Sequence, residues 1–213
     1  VYAFDTHVHA DHISGLRELV AAGVTGVLPD KAIERGVTYA DELESAADGE
    51  TFMVGSSTVE ALATPGHTSG MTSYLIDDDV LLTGDGLFVQ SVARPDLEAG
   101  DEGAVDAARQ LYRTIHDRIL ALPEDVYIAP GHTSESAQSG ADGTYTATLG
   151  ELVEELPLLS LDEEGFVDRV LSDMPPRPNN FERIIATNLG TETLAESEAF
   201  ELELGPNNCA TSH

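Results

Sequence analysis

The sequence predicts an α/β fold of the α+β kind, and three observations predict it. Short apolar segments bounded by Gly, Pro and Asp fill the first half of the chain. After Gly103 the apolar period switches to the helical one. The 213 residues are 41 % apolar, enough for one domain of ordinary size with a real core. The expected unit is a single domain over residues 1–213.

Val1 to Asp5 reads as a buried strand that ends in a polar loop. Ser14 to Ala22 has helical spacing through Leu16, Leu19 and Val20, with Gly23 placed to stop it. Val24 to Leu28 is short and apolar and meets Pro29, so it reads as a strand. Four further strands follow: Thr51–Val54, Thr58–Ala63, Met71–Ile76 and Val80–Thr83, with Asp77-Asp78 suited to a hairpin turn. Val105, Ala108, Leu111, Tyr112, Ile115, Ile119 and Leu122 then recur at helical spacing up to Pro123. Val126 to Ala129 reads as a strand, and Thr144–Leu156 and Leu161–Leu171 as helices. Met174 to Pro178 is a rigid break before a last helix, Phe181–Asn188. Phe200, Leu202 and Leu204 alternate with glutamates, which predicts an edge strand or an extended tail over residues 198–213.

Charge removes several classes of function. Acidic residues number 39 against 10 basic, a net charge of −29. Nucleic acid and anionic membrane surfaces would repel such a chain. No apolar run approaches the roughly 18 residues of a membrane helix. The single Cys209 excludes an internal disulfide framework and a Cys-rich metal site. With no signal-peptide pattern at its start, the chain is expected in the cytoplasm. Lys31 stands against nine arginines. An acidic surface almost without lysine is what a halophilic proteome produces.

The chemistry concentrates at turns. His7-Val8-His9-Ala10-Asp11-His12 places four potential metal ligands in six residues directly after a strand. A loop at a strand end aims all four at one point, which a helix cannot. Imidazole with carboxylate suits zinc, iron or manganese. Three other turns supply matching groups: His67 in Thr64-Pro65-Gly66-His67, Asp85 in Thr83-Gly84-Asp85, and His132 in Ala129-Pro130-Gly131-His132. A glycine precedes each ligand, allowing a sharp backbone. His116 and His213 are read as solvated or hydrogen-bonded histidines.

His7-x-His9-x-Asp11-His12 followed by His67, Asp85 and His132 resembles the metallo-β-lactamase superfamily. The resemblance implies a four-layer αββα sandwich with metal at one edge. It implies a first metal on His7, His9 and His67, a second on Asp11, His12 and His132, and Asp85 as bridge. Such a pair of Zn²⁺ generates hydroxide near neutral pH and serves thioester hydrolysis in members resembling glyoxalase II. Members resembling the persulfide dioxygenases hold one Fe(II) per chain on the equivalents of His7, His67 and Asp85. They oxidise a low-molecular-weight thiol persulfide with O2 to sulfite. Two histidines and a carboxylate with open positions form the facial triad of non-haem iron oxygenases.

Ala93-Arg94-Pro95-Asp96-Leu97, the Leu-Pro end of the long helix and the Pro-rich run Met174–Asn180 resemble the dioxygenase subgroup, with Leu97 where Phe is usual. The C-terminal region lacks the basic cluster with which a glyoxalase II holds glutathione. The resemblance thus makes Asp11, Arg94 and Asp96 the catalytic candidates, with Arg94 orienting substrate or bracing the site. Arg94 and Tyr145 are the substrate-binding candidates, Tyr145 standing in for a tyrosine that members place just after the last histidine. It also implies a homodimer and a rhodanese-type partner. Members carry strands before the first motif, so a longer native chain is expected, with N-terminal strands missing here.

Overall fold

Alternation of apolar and polar residues builds two sheets, and the chain's computed structural model describes residues 1–133, 137–141, 143–172, 174–204 and 209–211. The first sheet holds β1 (Tyr2–Phe4), β2 (Thr25–Pro29) and β3 (Leu43–Ala46), all parallel, in that order. The second holds β4 (Thr51–Val54), β5 (Ser57–Ala63), β6 (Thr72–Ile76), β7 (Val80–Gly84), β8 (Tyr127–Pro130) and β9 (Ala147–Thr148). β4 to β7 form an antiparallel meander; β8 runs parallel to β7, and β9 closes antiparallel.

The helices are α1 (Leu16–Ala21), α2 (Asp30–Ile33), α3 (Asp96–Thr114), α4 (Leu149–Glu155), α5 (Glu163–Ser172), α6 (Phe181–Asn188) and α7 (Glu196–Leu202). None among the described residues is long and apolar enough to cross a membrane.

The period of two along the strands sorts side chains into layers. Val59 and Ala61 of β5 and Tyr74 of β6 meet Val27, Phe52, Tyr2 and Phe4 between the sheets. Phe4 lies edge-on to Phe52 and Tyr74, with centroids 5.3 and 5.1 Å apart. Leu75, Leu81 and Ile128, on the opposite face, pack with Leu111 and Ile115 and with Leu152, Phe166 and Val170 of α4 and α5. Leu16, Leu28 and Ala32, with Ile185 and Leu189, cover the other side of the small sheet. The result is helix, sheet, sheet, helix, the αββα order implied by the resemblance.

Four local expectations need correction. β3 escapes sequence reading because its middle residues, Glu44 and Ser45, are exposed and polar. The long helix starts at Asp96, earlier than expected, with a break at Gly100 (φ +66°), and ends in a π-helical turn, Ile115–Ile119. Thr144–Leu156 is not one helix: β9 comes first, and Thr148 starts α4 through a capping box with Glu151. The stretch from 198 is neither edge strand nor extended tail at its start but α7, in which Leu202 is buried and Phe200 is 67 % exposed. Alternation with glutamate mimicked a strand over a single helical turn.

Candidate metal centre

Topology explains why distant turns meet. β5 and β7 both run antiparallel to β6, and β8 runs parallel to β7, so all three end at one edge of the sheet. The turns after them carry His67, Asp85 and His132. The loop after β1 is tied to the same edge: Thr72 N–H donates to the Thr6 carbonyl (2.9 Å) and the Tyr74 hydroxyl to the Asp5 carbonyl (2.9 Å). Two glycines are required by close approach. A Cβ on Gly84 (φ +50°) would lie 2.6 Å from Thr6 Oγ1, and one on Gly131 would lie 2.7 Å from Asp85 Oδ1.

His7 Nε2 and His67 Nε2 each stand 3.7 Å from Asp85 Oδ2. All three residues are buried, at 0 %, 1 % and 1 % exposure. These three atoms have no hydrogen-bond partner. The far side of each ring is occupied. His67 Nδ1 faces the Arg94 carbonyl at 2.9 Å, and a carbonyl only accepts, so the proton sits on Nδ1 and the Nε2 lone pair is bare. His7 Nδ1 meets Thr6 Oγ1 at 2.9 Å. Burial, with His9 beside it, holds His7 well below the ordinary histidine range, in the neutral form that ligates metal. Burial alone would raise Asp85, but the hydrogen bond from His132 and that ring's charge outweigh it and keep the carboxylate ionised. Two bare imidazole nitrogens and one bare carboxylate oxygen, converging in a dry pocket, fit a divalent cation. Uncompensated, buried polar atoms of this kind are costly.

The other groups interact with one another. His132 Nε2 lies 3.2 Å from both Asp11 Oδ2 and Asp85 Oδ1. His12 Nδ1 lies 3.2 Å from Asp11 Oδ1. Against the opposing effect of burial, these carboxylates push His132 up to about 10. Burial opposes the shift of Asp11 as well, yet His12 and His132 hold it far below the usual carboxylate range. His9 groups with Asp11 and His12; its Nδ1 is buried without a hydrogen bond, and burial pushes it down to about 4.

With this arrangement in view, the relatives are informative. The family model described as metallo-beta-lactamase superfamily matches residues 2–132. The chain belongs to the metallo-β-lactamase superfamily. It is 30 % identical over 199 residues to the mitochondrial persulfide dioxygenase ETHE1 of Homo sapiens, covering 89 % of this chain and 68 % of that protein. It is 32 % identical over 213 residues to a hydroxyacylglutathione hydrolase of Methylococcus capsulatus, covering 93 % and 76 %. Among solved structures, a metallo-beta-lactamase from Staphylococcus aureus superposes with TM-score 0.80 at 28 % identity, over 92 % of this chain but only 60 % of that one. ETHE1 from Myxococcus xanthus superposes with TM-score 0.74 at 28 % identity, over 90 % and 78 %.

The remaining residues of this superfamily member divide by position. Arg94 is 1 % exposed; its Nε and Nη2 donate to the Asp96 carboxylate at 2.8 and 3.1 Å, and Nη1 donates to the Pro176 carbonyl at 2.9 Å. Arg177 Nε adds a third donor to Asp96 at 2.8 Å. Tyr145 is 46 % exposed. It lies two residues before β9, which pairs with β8, the strand that leads to His132. His116 packs on Tyr112 with centroids 3.9 Å apart and is hydrogen-bonded to the Tyr112 and Leu159 carbonyls, as expected; His213 lies outside the described residues, as do positions 134–136 and 142 of the polar stretch after His132.

Sequence reading missed two residues. Asn188, at the end of α6, donates both amide hydrogens to the His9 and His12 carbonyls, each at 2.9 Å, and accepts from Ser14 N–H at 2.9 Å. Cys209 is buried, in a ligand-distance group with Asp11, Asp85 and His132; burial and the two carboxylates push its thiol far up. Neither carries a local signal, since both reach the loop from the far end of the chain.

Proposed function

We propose that the chain oxidises a low-molecular-weight thiol persulfide with O2 at one Fe(II) held by His7, His67 and Asp85. One observation carries the reading: these three residues present bare, buried ligand atoms, whereas Asp11, His12 and His132 are engaged with one another. Identity to the persulfide dioxygenase supports it. The balanced reaction is RSSH + O2 + H2O → RSH + SO3²⁻ + 2 H⁺: the sulfur–sulfur bond breaks, and the outer sulfur gains oxygen. When bound, Fe(II) supplies the one-electron chemistry that lets O2 react with closed-shell sulfur. The protein's part is positioning. The Arg94 carbonyl orients His67, the Arg94–Asp96 pair braces that carbonyl, and burial keeps bulk water from the ligands.

The test is anaerobic loading with Fe(II), followed by metal counting and oxygen-electrode assays. One iron per chain, persulfide-dependent O2 uptake and sulfite release are expected. Two zincs per chain with thioester hydrolysis that needs no O2 would overturn the reading. That second reading, a dinuclear zinc hydrolase of the glyoxalase II type, is favoured by the buried, unpartnered His9 Nδ1 and by identity to the hydroxyacylglutathione hydrolase.

The acidic, lysine-poor composition supports a saline milieu for the same enzyme. A melting temperature that rises from low to molar KCl is expected, and equal melting in both would refute it.

A further inference from the structure

Residues 64–71, between β5 and β6, form the turn that carries His67, and the turn is held on both sides of the ring. Upstream, the hydroxyl of Thr114, the last residue of α3, donates to the Pro65 carbonyl at 2.6 Å. Downstream, the backbone rests on α2: a Cβ on Gly70 would lie 2.4 Å from the Ala32 nitrogen. Within the turn, Gly66 N–H and Met71 N–H both donate to the Thr68 carbonyl, at 3.1 and 3.3 Å.

The remaining tie comes from Glu98. Its Oε2 accepts from Ser69 N–H at 3.1 Å, and its Oε1 accepts from the Ser69 hydroxyl at 2.5 Å. Arg35, just after α2, brings Nη1 to 3.2 Å from Oε2. The two side chains are 15 % and 22 % exposed, so as an ion pair alone they would contribute little. The place of Glu98 in the chain gives it more to do. Four residues earlier, the Arg94 carbonyl receives the His67 Nδ1–H at 2.9 Å. Between the two, Pro95 restricts the backbone and Asp96 is bonded to Arg94 and Arg177. One braced segment therefore grips the His67 ring through a carbonyl and the His67 turn through a carboxylate.

Resting on the reading of His67 as a metal ligand, we propose that Glu98 is a positioning residue of the metal centre. It fixes the backbone of the His67 turn relative to the Arg94 carbonyl, and so fixes the direction of Nε2. A ring held at one nitrogen still swings when its backbone moves; held at ring and backbone by the same segment, it does not. The centre requires this because its three ligands come from three separate turns, after β1, β5 and β7. Displacement of one turn spoils the convergence of the set. Arg35 has a different part: it balances the charge of the carboxylate and is not a member of the grip.

Two measurements on the full chain separate such a grip from a surface ion pair: titration with Co²⁺, followed by its visible absorption, and amide exchange without metal. Glu98→Ala is expected to weaken Co²⁺ binding about 10-fold. It should also quicken exchange at Gly66 and Met71, whose N–H groups bond to the Thr68 carbonyl and not to Glu98. In Glu98→Gln the amide oxygen accepts from Ser69 N–H and the amide nitrogen donates to the Ser69 hydroxyl, so affinity should return to that of wild type. Arg35→Gln keeps both Ser69 bonds and should leave affinity unchanged. Ser69→Ala, which removes one of the two bonds, replaces Glu98→Ala where that variant does not fold, with a smaller loss expected. Unchanged affinity and exchange in Glu98→Ala, or an equal loss in Arg35→Gln, overturns the inference. His67→Ala tests the ligand itself: Co²⁺ bound as tightly as in wild type refutes the reading of the centre, while exchange in the metal-free chain still tests the grip.

Discussion

The two oxygens of Asp85 face opposite kinds of surroundings. Oδ2 looks onto His7 and His67, whose side chains are both 0 % exposed and whose facing nitrogens are bare. Oδ1 looks onto His132, whose side chain is 25 % exposed and which also pairs with Asp11. A dry flank with unspent lone pairs is stable only if something positive fills it. A wetter flank of alternating acid and base holds itself. The lesson is that one motif distributes its ligands between two electrostatic regimes, and that ligand type alone does not say which group needs an ion.

The largest expected effect breaks the dry flank. His67→Ala or Asp85→Asn should reduce bound metal to background and lower activity beyond the roughly 10–100-fold that outer-shell changes cost. Metal counting after desalting checks it, and full metal retention in either variant would show that the bare atoms are not ligands.

Removing the acid of the other flank sharpens the contrast. Asp11→Ala is expected to keep one iron per chain, with activity lowered by about 10–100-fold at most. It leaves His12 and His132 without their shared carboxylate, so the cost falls on the surroundings of the centre. Loss of the iron in this variant would move Asp11 into the ligand set and favour the dinuclear reading.

Much of both flanks is legible in sequence, for a local reason. A strand, a glycine turn and a ligand recur at His67, Asp85 and His132, and a period of two identifies the strands that deliver them. What local pattern cannot carry is partnership across the chain. Asn188 lies 179 residues from His9, and Cys209 sits where a free cysteine reads only as the lack of a disulfide. The role of Arg94 was ambiguous for the same reason. An Arg-x-Asp stretch is compatible with substrate contact or with an internal ion pair, and only burial at 1 % and 3 % with two parallel bonds decides that it is paired internally. The C-terminal helix was misread because one turn with glutamates at alternate positions satisfies a strand pattern equally well.

That buried pair gives the next expected effect. Asp96→Asn removes the charge facing Arg94 and Arg177 and should cost about 3–5 kcal/mol of stability near neutral pH. Burial would raise the Asp96 carboxyl, but the two arginines hold it below its ordinary value. A folded-state value below the unfolded one contributes stability above the unfolded carboxylate range, near pH 4, and loses it as pH falls through the folded value. The gap between wild type and Asp96→Asn in urea melts should therefore narrow in acid. A gap that stays constant from pH 7 to pH 3 would mean that the ion pair contributes nothing.

The smallest effect comes from a residue that touches the ligand loop only through its backbone. Asn188 spends both amide hydrogens on the His9 and His12 carbonyls, so it fixes the turn on which the exposed flank is mounted. Asn188→Ala leaves two carbonyls and the Ser14 N–H to find water and should cost about 1–3 kcal/mol. His7 and His67 are held instead by Thr6 and the Arg94 carbonyl, so iron stoichiometry should stay at one per chain. The structural disturbance should then be confined to one side of Asp85: amide exchange should quicken at His9 to Ser14 and remain slow around His67. Equal quickening at both turns would show that the two flanks are one mechanical unit.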